Sequence, residues 1–134
     1  MEVYKSTYWT ISHKKEQALL TPIWNNNSAN MTEDLYKSEM ENYVELVEKY
    51  QPKQLLIDCK EFCFPITPNI QEWIDARIFP RVLLVGVKYV AIVIPSELIA
   101  NLSVQQAMEE PEGAKFTTRY FDNIEDSAQW LLSL

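Results

Sequence analysis

Glycine is almost missing from this chain: Gly86 and Gly113 are the only two among 134 residues. Neither a Walker loop nor a G-x-G-x-x-G turn can be written with them, so the close backbone approach those phosphate sites need is excluded. Histidine is scarcer still. His13 stands alone in His13-Lys14-Lys15-Glu16, where an exposed imidazole without a partner is the simplest expectation, and metalloenzyme or Ser-His-Asp chemistry is hard to build from it. Cys59 and Cys63, spaced C-x3-C, are the only cysteines. They are too few for a disulfide framework and lack the second pair of a zinc site, so both read as reduced structural thiols. No neighbouring base or cation marks Cys59 as a nucleophile.

Long apolar runs are also absent. Ile78 to Val87 and Tyr89 to Pro95 are broken by Pro80, Arg81 and Lys88, well short of the roughly 20 residues that a membrane-spanning helix needs. Met1-Glu2-Val3-Tyr4-Lys5 has no basic segment leading into an apolar run and reads as no secretory signal. The expectation is a cytoplasmic chain that does not span a membrane. Positive charge is in deficit, with 12 Lys and Arg against 19 Asp and Glu and a net charge of −7. Such a surface repels phosphate backbones, which argues against nucleic acid as a partner.

What is present is an ordinary globular composition, 47% hydrophobic and 23% charged, enough for one core and one domain over residues 1–134. Val3 to Ser12 and Gln17 to Trp24, rich in aromatic and β-branched residues, read as an antiparallel hairpin with His13 to Glu16 as its turn. Asn25 to Asn30 is a loop. Thr32 then caps an amphipathic helix carrying Tyr36, Met40, Tyr43, Val44 and Val47 and ending near Pro52. Leu55-Leu56-Ile57-Asp58 has the continuous hydrophobicity of a strand buried on both faces, and Thr67-Pro68 is the pattern of a helix start.

Residues 79–87 leave helix and strand both open by periodicity, with Gly86 as a stop favouring helix. Lys88 to Ile94 is the strongest buried strand. Ser96 is the expected cap of a helix through Leu98, Ile99, Leu102, Val104 and Met108, followed by a strand over Phe116 to Phe121 and a closing helix capped by Asp122 or Asn123. The fold class is α/β: a hairpin, then alternating helices and strands on a mixed, mostly parallel sheet.

Two features are candidates for function. Asp58 ends a parallel strand, where open α/β sheets bind ligands, although an Asp there also serves simply by accepting backbone N–H bonds. The stretch Glu61-Phe62-Cys63-Phe64-Pro65-Ile66-Thr67-Pro68 puts two aromatics and two prolines in a loop. Either it folds back as a lid over the core or it presents an apolar contact surface.

The order of elements, with Leu55-Leu56-Ile57-Asp58, Gln71-Glu72-Trp73, Tyr120-Phe121 and Gln129-Trp130-Leu131, resembles the STAS or SpoIIAA-like superfamily, and in particular small single-domain STAS-like proteins of bacteria. The fold is shared in outline by CRAL-TRIO lipid-binding domains. The resemblance implies a SpoIIAA-like fold over the whole chain and a regulatory, protein-binding role. Its phosphorylatable Ser would align with Thr67 or its neighbour, but Pro68 follows and no Gly does. The surface from Phe64 to Trp73 carries over as a partner-binding edge.

The expected function is therefore a non-catalytic regulatory or protein-interaction module, without cofactor or metal, using Asp58, Phe62, Phe64, Thr67, Asn69 and Trp73. Its partner would be another protein. The alternative is a small-molecule or lipid-binding domain with a pocket under the aromatic loop 61–68.

Overall fold

A computed structural model describes residues 1–134. Its centre is a six-stranded sheet whose strands lie side by side in chain order. β1 (Glu2–Lys5), β2 (Trp9–Lys14) and β3 (Leu19–Trp24) run antiparallel, and β4 (Gln54–Asp58), β5 (Tyr89–Val93) and β6 (Thr117–Phe121) continue parallel from β3. Parallel neighbours need long crossovers. These are α1 (Glu33–Tyr50), the pair α2 (Pro68–Arg77) and α3 (Phe79–Val85), and α4 (Leu98–Glu109), while α5 (Ile124–Leu132) closes the chain. The architecture is α/β with a mixed sheet. No helix is long and apolar enough to cross a membrane.

Period-two alternation sorts the strand residues onto two unequal faces. Trp9, Ile11, Leu20, Leu55, Val90 and Ile92 point into the larger core with α1 to α4, whereas Leu19, Leu56, Ala91 and Val93 meet Leu131 of α5. A fully apolar run such as Tyr89–Val93 arises because both faces of β5 are covered. Trp9 and Trp24 sit opposite each other across β2 and β3 with their rings stacked at 3.9 Å, a cross-strand pair of the kind that fixes register.

Helix ends follow local chemistry, with three departures from the sequence-based expectation. The predicted first strand is two strands: Ser6 donates its N–H to Trp9 O at 2.9 Å, and its hydroxyl accepts from Tyr8 N at 3.1 Å, turning the chain between β1 and β2. His13 and Lys14 belong to β2 and not to the turn. The cap of α4 is Glu97 and not Ser96. Its carboxylate accepts from Ile99 N at 3.0 Å and Ala100 N at 2.7 Å, one oxygen to each. Residues 79–85 are helical, closed by Gly86 at φ +101°, the left-handed conformation that glycine tolerates.

Ile92, 1% exposed in the middle of β5, contacts the larger core alone. Ile92→Ala is expected to lower stability by about 2–5 kcal/mol, read as a fall in the urea midpoint at unchanged m-value.

Candidate functional site

The loop after β4 is as apolar as its sequence suggests, and it is folded inward. Phe62, Phe64 and Ile66 are all buried. Phe64 stacks on Tyr36 of α1 at 4.8 Å, and Phe62 packs on Trp24 of β3 at 4.8 Å. Burying a loop requires partners for its backbone, and three buried polar side chains supply them. Ser28 accepts the Cys63 N–H at 2.9 Å and donates to Glu61 O at 3.4 Å. Ser103 of α4 accepts the Ile66 N–H at 3.1 Å, and Gln71 of α2 donates to Ile66 O at 2.8 Å.

Under this lid, between the sheet and α1, α2 and α4, lies a cavity of about 80 Å³. Its lining counts 16 residues, 15 of them hydrophobic, with Phe62 and Ile66 contributed by the loop. The titratable groups on its wall are Tyr36, Tyr43 and Cys59. Burial pushes both phenols and the thiol well above their ordinary values, and the proximity of Cys59 raises the phenols further. All three therefore stay neutral, so the wall carries O–H and S–H groups and no charge. No group of three or more His, Cys, Asp or Glu is placed to hold a metal ion.

The six candidate residues do not form one patch. Phe62 and Phe64 lie in the interior with ring centroids 6.4 Å apart, and of these Phe62 lines the cavity. Asp58 alternates with the cavity-lining Ile57, so it faces away, half-buried, and its carboxylate accepts the Lys60 N–H at 3.1 Å. Thr67 and Asn69 are exposed at the start of α2, where Thr67 takes the cap position without a side-chain hydrogen bond. Trp73 is half-buried with Lys37 Nζ 5.3 Å above its ring.

Sequence reasoning missed the buried polar residues that build the site, Ser28, Gln71 and Ser103, together with two that brace it. Asp75 of α2 accepts from Glu112 N at 3.0 Å and Gly113 N at 2.8 Å, and at Gly113 a Cβ would stand 2.8 Å from Ala107 O and from a Phe79 ring carbon. Glu39 of α1 accepts from the hydroxyls of Tyr4 and Ser6, both at 2.6 Å. No local signal marks these positions. Glu39, though, interrupts the apolar face of α1 next to Met40, the one acidic residue on the buried side.

Two outcomes follow from this geometry. Because Thr67 makes no cap bond and is exposed, Thr67→Ala is expected to change stability by less than about 0.5 kcal/mol, whereas Glu97→Ala loses two cap bonds and about 1 kcal/mol; chemical denaturation of both variants checks the contrast. The raised thiol and phenols make folding favour their protonated forms. Their contribution is complete below the unfolded values, about 8.5 for Cys and about 10 for Tyr, and is lost as pH climbs beyond them toward the folded values. Stability should therefore fall steadily above about pH 8.5, and Cys59→Ala should flatten the first part of that fall.

No family model matches the chain, and no curated protein or solved structure matches it.

Proposed function

We propose that this chain is a non-catalytic binding domain that takes a small apolar molecule into the cavity beneath the loop from Cys59 to Thr67. One observation carries the reading: the cavity has 15 hydrophobic residues among its 16 and is roofed by Phe62 and Ile66. Ligand sites are concave and mainly apolar, with a few polar groups to fix orientation. Binding without conversion is supported by the neutrality of Tyr36, Tyr43 and Cys59, none of which is poised as a base or a thiolate. A STAS-like, SpoIIAA-like membership belongs to the same proposal, supported by the antiparallel start and the parallel strands in sequential order.

A second reading, a regulatory protein-interaction module, draws on a different face. Leu98, Ile99 and Leu102 stand exposed at the start of α4 at 67%, 56% and 50%, while Phe62 and Phe64 are covered.

The cavity reading is tested with xenon, which enters dry apolar cavities. Under xenon pressure the methyl resonances of Ile57, Ile74 and Ile92, all on the wall, should shift, with those of distant residues unmoved. Ala107→Leu, which fills the cavity from α4, should abolish the shifts in a folded protein, and Leu102→Lys should preserve them. Absence of any xenon shift in the wild type would sink the binding reading.

A further inference from the structure

The cavity wall is apolar in carbon but not in hydrogen-bonding capacity. Trp9 of β2 is 2% exposed, lines the cavity, and its indole Nε1–H is buried without a partner in the protein. Tyr36 and Tyr43 line the same space from α1, two turns apart on one helix face, 3% and 5% exposed. Burial and the Cys59 thiol raise both phenols, and Tyr43 raises that of Tyr36 as well. The Trp9 and Tyr43 rings are 5.6 Å apart, and the Trp24 ring bridges from Trp9, at 3.9 Å, to Tyr36, at 6.1 Å. One buried donor without a partner, the Trp9 indole N–H, thus stands on the wall of a space that two tyrosines also line.

A buried donor left unpaired costs about 1–3 kcal/mol, whereas an apolar group of the same shape costs nothing. Phe in place of Tyr would fill the same volume. Elsewhere in this protein interior hydroxyls are paired: Ser103 donates to Ala100 O at 2.9 Å and Ser127 to Ile124 O at 2.7 Å. Two buried side-chain donors lack a partner, the Trp9 indole N–H on the cavity wall and the Thr118 hydroxyl of β6.

Building on the binding reading above, we propose that the ligand is a small neutral molecule with an apolar body and one strong hydrogen-bond acceptor, a carbonyl oxygen, which takes the Trp9 indole N–H. Charge selects against a carboxylate, because no Lys, Arg or His stands among the lining residues and an ionised group would enter a desolvated space without a counter-charge. Volume sets the size. At about 80 Å³ the space is roughly half that of an engineered lysozyme cavity of about 150 Å³ that holds benzene. A ketone of about four heavy atoms matches this; a six-atom ring or a full-length lipid chain does not.

The test uses two probes of the same size and shape, acetone and isobutene, titrated into the intact chain with nitrogen-15-labelled tryptophan. The ketone should bind roughly tenfold tighter, the worth of one good hydrogen bond. The Trp9 indole N–H should move downfield with the ketone and stay in place with the hydrocarbon. Trp9→Phe, which also enlarges the space, should bring the ratio of ketone to hydrocarbon affinity down toward one whatever it does to each affinity, and the indole shift in the unaltered chain carries the test if Trp9→Phe does not fold. Equal affinity for both probes with an unmoved indole signal would overturn the acceptor assignment while leaving the cavity reading intact, and would mean that the donor serves ordered water. Binding of neither probe, in a protein that also takes up no xenon, would overturn both.

Discussion

The arrangement depends on one constraint: an apolar loop cannot be buried unless its backbone finds hydrogen bonds. Phe62, Phe64 and Ile66 are drawn inward by their own hydrophobicity, but the peptide groups between them are polar and would be stranded under the roof. Ser28, Ser103 and Gln71 remove that penalty from three directions, the first from the segment before α1, the others from α4 and α2. Each is small or flexible enough to reach a backbone atom without pushing the aromatic rings apart. Without these partners the loop would have to open to water, and the cavity beneath it would lose its cover.

With the loop fixed, the cavity follows from ring geometry. Aromatic side chains are large and stiff, and they stack at set distances that rarely tile space completely. Trp9, Trp24, Tyr36 and Phe62 are held against one another by stacking and tilted contacts between 3.9 and 6.3 Å, while Asp75 and Glu39 brace the surrounding helices from outside. A void with rigid walls is a prepared site, since little conformational freedom remains to be lost when it is occupied. The same rigidity places the Trp9 indole N–H where nothing in the protein can answer it.

The ionic contacts of this acidic chain serve a different end. Arg81 bridges Glu41 at 3.0 Å and Glu48 at 2.7 Å, and Arg77 meets Glu41 at 2.6 Å, holding both carboxylates below their usual range. They tie α1 to α2 and α3 along an exposed seam. In solvent such pairs contribute little stability.

The sequence by itself determined the α/β class, the elements and most of their ends. Periodicity and capping are local, so Thr32, Asn123 and Gly86 act within a few residues of themselves, and the unbroken Val90-Ala91-Ile92-Val93 run shows both faces covered whatever covers them. It also offered a lid as one fate of the aromatic loop. It did not show the split between β1 and β2, because a single Ser6 hydroxyl makes that turn, nor that Glu97 would displace Ser96 as a cap. A strand turns the neighbours Ile57 and Asp58 to opposite faces by itself, and only the tertiary structure decided that it is Ile57 that meets the cavity. Only it brought Ser28, Gln71 and Ser103 to a loop as much as 37 residues away, and Trp9 to Tyr36 and Tyr43. Pairing across such separations leaves no periodic trace, since the partner of a buried polar group is chosen by the packing of whole layers and not by its neighbours in the chain.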